Sequence, residues 1–120
     1  MLESQGEVLA VTEEEIADAK AMIGRDGIGC EPASATTVAG IRKLVAAGHI
    51  GRKESVIAVL TGHVLKDPDY VGNYHRGTLS LAAHKEGHET ERTIVGAFRN
   101  VPERVAGSKK AILETLKRRI

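Results

Sequence analysis

The chain has 120 residues, with 17 Lys and Arg against 16 Asp and Glu. That is polymer for one domain with a modest core, and the near balance of charge gives no electrostatic case for nucleic acid or an anionic membrane as partner. Tyr70, Tyr74 and Phe98 are the only aromatic residues and Cys30 the only cysteine, which excludes base-stacking platforms and an internal disulfide and fits a reducing compartment.

No apolar run approaches membrane-spanning length, and Met1 to Gly6 lack both the basic and the apolar regions of a secretory leader. The expectation is a cytoplasmic α/β domain with an aliphatic core.

Glu7 to Val11 is a short, mostly apolar strand candidate. Thr12 and Glu15 then stand three apart, the spacing of a capping box. Behind them Ile16, Ala19 and Ile23 form the apolar stripe of a helix, and Gly24 and Gly27 supply the residues a helix end prefers. A second helix is predicted from Ser34 or Ala35 to about Ala47, with Ser34 as its cap and Gly48 ending it.

Ser55 to Leu60 is apolar almost throughout, as expected of a strand buried on both faces of a parallel sheet. From Asp69 to Gly107 the glycines and scattered charges predict loops, with one short strand at Thr93 to Ala97. A last amphipathic helix is expected from a Ser108 cap through Ile112, Leu113 and Leu116 to a basic end. The alternation of strand and helix predicts an α/β fold, a three-layer parallel sheet flanked by helices, with residues 1–120 forming a single unit.

Two stretches stand out: Gly29-Cys30-Glu31-Pro32-Ala33-Ser34-Ala35 and Val59-Leu60-Thr61-Gly62-His63-Val64-Leu65-Lys66-Asp67-Pro68. Each breaks abruptly from an apolar or glycine-flanked run into polar, backbone-bending residues. Sites at the ends of sheet strands are built this way. Glu31 to Ala35 and Leu60 to Pro68 resemble the Glu-Pro-Ala-Ser-Ala and Leu-Thr-Gly-His-Gly-Leu-Lys-Asp-Pro runs of the threonine synthases, pyridoxal 5'-phosphate (PLP) enzymes of fold type II. The likeness runs from Met1 to about His75, and residues 78–99 match the family poorly.

The resemblance implies the C-terminal part of the larger domain of such an enzyme. The parent reaction would convert O-phosphohomoserine and water to threonine and phosphate. Thr61 would contact the pyridine nitrogen of PLP, and Gly62 would let the backbone approach the ring. Glu31 has two readings, a first-turn carboxylate favoured by the helix dipole or a group beside the cofactor.

Lys66 and Asp67 read as a turn-stabilising pair. Lys66 is not the Schiff-base lysine, which in the family lies in a Ser-Phe-Lys-Asp-Arg type of segment far upstream. The family's glycine- and asparagine-rich phosphate-holding segments have no counterpart, and Gly27-Ile28-Gly29 reads as a tight turn rather than a phosphate cradle. No catalytic residue is therefore assigned, and the chain alone is expected to be inactive and to bind no PLP.

Val64 departs from the family's glycine, and a β-branched residue would be strained there if the position needed a positive φ. His84 and His88 stand four apart, but their setting reads as exposed loop, so no metal site is expected. Cys30 with His63 as base is a weaker nucleophile reading than Cys30 as a small buried hydrophobe. The alternative to an enzyme part is a non-catalytic stand-alone module of the same fold that binds a partner chain or small molecule. A part of a larger domain should leave apolar surface uncovered and open to self-association.

Overall fold

The computed structural model describes residues 6–85 and 88–119, with 83–85 and 88–90 described by backbone alone. In chain order come helix α1 (Glu13–Arg25), helix α2 (Pro32–Ala46), a 3-10 turn (Val64–Lys66), helix α3 (Pro68–Arg76), strands β1 (Ser80–Lys85) and β2 (His88–Thr93), and helix α4 (Lys109–Lys117).

Helix α1 begins as its sequence demands. The Thr12 hydroxyl accepts the Glu15 N–H at 3.2 Å, and the Glu15 carboxylate accepts the Thr12 N–H at 2.7 Å. Lys43 of α2 reaches the same carboxylate at 3.2 Å. The Thr12 backbone bond first, and then Lys43, hold the Glu15 carboxyl below the ordinary carboxylate range.

The helix ends in a Schellman motif: Gly27 N–H bonds the Gly24 carbonyl at 3.1 Å and Ile28 N–H the Ile23 carbonyl at 3.2 Å. Gly27 lies at φ +82°, in left-handed space that a side chain would strain. The Gly27-Ile28-Gly29 run is thus a tight turn.

Helix α1 lies between two small cores. On one side Ala19 and Ile23 meet Cys30, Ala35 and Ala39, with Val11, Val38 and Leu60 packed around them. On the other, Ala17 meets Tyr74, Leu79 and Ile94. Small side chains let α1 and α2 approach closely, which fits the alanine-rich sequence of both.

The parallel sheet expected from the alternation does not form among the described residues. Their one sheet is the antiparallel pair β1–β2, with Ser80 opposite Thr93 and Ala82 opposite Glu91. Residues 78–99, read from sequence as a loop region, therefore hold a hairpin, and the strand expected at Thr93 to Ala97 sits at His88–Thr93 instead.

Glu7 to Val11 and Ser55 to Leu60 have no sheet partner among the described residues. The pattern of a buried strand is present, but a strand needs a neighbour to accept its backbone bonds. Val8, Ile57 and Val59 are 70%, 89% and 64% exposed. The accessible surface is 9356 Å², where a compact chain of 12.8 kDa would show about 6300 Å². The radius of gyration, 17.9 Å, likewise exceeds the value of about 14 Å for a closed domain of this length.

Candidate cofactor site

The two stretches singled out in the sequence meet. Pro32 opens α2 at a position where its missing N–H costs nothing, and Glu31 is the N-cap residue, although its side chain makes no capping bond. Ser34, expected as the cap, lies inside the first turn and does something else. Its hydroxyl accepts the N–H of Thr61 at 3.1 Å and of Gly62 at 2.9 Å. In return the Glu31 N–H donates to the Gly62 carbonyl at 3.0 Å. The strand-like segment ends on the start of α2 because these bonds hold it there.

This arrangement leaves the Thr61 hydroxyl lightly engaged. Thr61 is exposed, and its Oγ1 lies 3.5 Å from the Ser34 hydroxyl, the only polar contact of that hydroxyl among the described residues. It can still donate to an outside acceptor. Gly62 is buried, and a Cβ there would overlap the Glu31 side chain. Glycine at 62 is what allows Glu31 to lie across the end of the segment.

The Glu31 carboxylate pairs with Lys66 at 2.7 Å. Lys66 thus pairs with Glu31 rather than forming the turn pair with Asp67 read from the sequence. Asp67 is instead the N-cap residue of α3, without a side-chain bond. The hydrogen bond to Glu31, and then its charge, raise the Lys66 ammonium above its ordinary value.

Val64 falls in the 3-10 turn, a right-handed conformation open to β-branched residues. A Cβ on Gly29 would lie 3.0 Å from Val64 Cγ1, so Val64 packs onto Gly29 and the departure from glycine brings no strain.

Cys30 is 1% exposed, and burial raises its thiol pKa. His63 is exposed and its Nδ1 accepts the Leu65 N–H at 3.1 Å, capping the 3-10 turn. The pair is no nucleophile and base; Cys30 is a small core residue. Among the described residues no cluster of His, Cys, Asp or Glu could hold a metal. The metal reading at His84 and His88 depends on side chains outside the described set. No helix there is long and apolar enough to cross a membrane.

The sequence reading missed Lys20. It is 5% exposed, its ammonium donates to the Cys30 carbonyl and lies 5.9 Å from the centroid of the Tyr70 ring. The signal was a lysine set between Ala19 and Ala21 on an apolar face.

A Thr-Gly pair at the end of an apolar segment is bound to the first turn of a Pro-started helix and leaves the threonine hydroxyl facing outward. Residues 1–62 match the family described as pyridoxal-phosphate dependent enzyme, and the chain belongs to that family.

Within it, the chain is similar to threonine synthases. It is 56% identical over 70 residues to that of Methanosarcina acetivorans, covering 58% of this chain and 17% of that protein. It is 49% identical over 67 residues to that of Methanocaldococcus jannaschii, covering 55% and 16%. Against that of Halalkalibacterium halodurans it is 44% identical over 68 residues, covering 56% and 19%. The matches span less than a fifth of the length of these relatives.

Proposed function

We propose that this chain is the C-terminal part of a threonine synthase, in which O-phosphohomoserine and water become threonine and phosphate with PLP as cofactor. The observation that carries the reading is the double acceptance by Ser34. It fixes the backbone of Thr61 and Gly62 while leaving the Thr61 hydroxyl exposed with one weak contact.

When bound, PLP supplies an electron sink for elimination and replacement on an amino acid. Thr61 would hold its ring nitrogen: a hydroxyl donates a hydrogen bond to the neutral nitrogen and, unlike a carboxylate, does not keep it protonated. Gly62 contributes backbone alone. Glu31, lying across Gly62 and held by Lys66, would border the ring and keep the Lys66 ammonium away from it. That ammonium is paired and protonated, so it is no candidate for the lysine that bonds the cofactor. Neither that lysine nor a phosphate cradle is assigned to this chain, and alone it would be inactive.

The same reading makes Glu7 to Val11 and Ser55 to Leu60 strands of the three-layer parallel sheet, with the neighbouring strands supplied by further sequence. The exposed Val8, Ile57 and Val59 support this, because burial between strands is what such residues favour.

The test is a graft. Residues 1–62 replace the matching segment of the Methanosarcina acetivorans threonine synthase, and threonine formation and PLP absorbance are measured. Retention of both is expected. A folded graft that takes up PLP but forms no threonine would overturn the substrate assignment, and one that takes up none would overturn the cofactor assignment.

A further inference from the structure

An open groove of about 710 Å³ runs between α1 and α3. Among the described residues no aspartate or glutamate lines it, whereas Lys20, Arg25, His75 and Arg99 do. Lys20, Arg25 and Arg99 have no carboxylate partner among the described residues.

Lys20 is the telling one. Among the described residues this nearly buried ammonium meets only a carbonyl and an aromatic face, without the counter-charge that buried ions need. Beside it, the Tyr70 hydroxyl is buried with no hydrogen-bond partner among the described residues. Orphaned buried hydroxyls are costly and uncommon. Burial first, and then the charges of Glu13 and Asp67, push the Tyr70 pKa up to about 12, so this hydroxyl stays a donor. Neither Glu13 nor Asp67 lines the groove.

We propose that this groove binds a small molecule bearing a phosphate or carboxylate group, with the anion seated at Lys20 and Tyr70. One oxyanion gives the ammonium its counter-charge and the hydroxyl its acceptor. Arg25 adds positive potential, and Tyr70 and Phe98 offer aromatic surface to the ligand's body. The site is separate from the Thr61 hydroxyl and stands independently of the reaction proposed above.

The 120-residue chain is titrated with inorganic phosphate and, in a second arm, with succinate, at ionic strength held constant with chloride, following backbone amide NMR shifts. Saturable shifts around Lys20 and Tyr70 are expected with at least one anion, and the arm that saturates identifies the group. Tyr70→Phe, which removes only the unpartnered oxygen, should weaken that binding about tenfold, and Lys20→Met should abolish it. No saturable shift in either arm overturns the proposal. So does a Tyr70→Phe chain whose affinity stays within about twofold of the parent, a result that holds even if Lys20→Met fails to fold.

Discussion

Ser34 and Gly62 are joined by a 2.9 Å hydrogen bond from the Gly62 N–H to the Ser34 hydroxyl, across 28 positions of sequence. Gly62 is buried, so its N–H has no water to turn to. Ser34→Ala would strand that donor and weaken the hold on Thr61. A loss of about 1–3 kcal/mol is expected, read as a lower urea midpoint with unchanged slope.

Tyr74 organises the second core through its oxygen. It donates to Asp18 at 2.6 Å and accepts the Phe98 N–H at 3.0 Å, and Asp18 also accepts the Ala97 N–H at 2.9 Å. Tyr74→Phe should cost about 1.5–3 kcal/mol, since one partner is charged. Gly96→Ala should be at least as harmful, because a Cβ there overlaps the Tyr74 ring. Thermal unfolding of both variants checks this, with Ala97→Ser as a control of small effect.

The two tyrosines also set the alkaline limit. Burial, with the Asp18 hydrogen bond second for Tyr74, raises both to about 12. A folded pKa above the ordinary value of about 10 means that the native state holds the proton more tightly. This stabilisation is complete below pH about 10 and is lost as pH rises toward about 12. Ultraviolet titration should show tyrosinate appearing near pH 12 in the folded chain and near pH 10 in urea.

Cys30 should resist alkylation in the native state and react at once on unfolding, since the thiol is buried and its pKa raised. Mass spectrometry after a timed pulse of iodoacetamide, with and without urea, measures the difference.

Local signals were legible in the sequence where local physics decides the structure. The Thr12 and Glu15 capping box, the Gly27 turn and the Ser108 cap all form as their spacing implies. Ser34 suits a cap by type and place, but its real partners lie far along the chain. The hairpin is not legible in the sequence because His88 to Thr93 carries charged and polar residues rather than Val or Ile. The apolar runs at Glu7 to Val11 and Ser55 to Leu60 carry the composition of strands but not the neighbours that would make them so. At the site, Thr61 and Gly62 were legible as a motif; the Glu31 to Lys66 pair and buried Lys20 depend on tertiary contacts.

The most direct measurement concerns the Thr61 hydroxyl. In the Methanosarcina acetivorans enzyme grafted with residues 1–62 of this chain, Thr61→Val and Thr61→Ser are compared for PLP dissociation constant and for turnover. The Thr61 N–H still meets Ser34 in both, so the fold is preserved. Thr61→Val should weaken PLP binding about tenfold and lower turnover, as loss of one buried hydrogen bond implies, while Thr61→Ser should retain both. Unchanged binding and turnover in Thr61→Val would contradict the account.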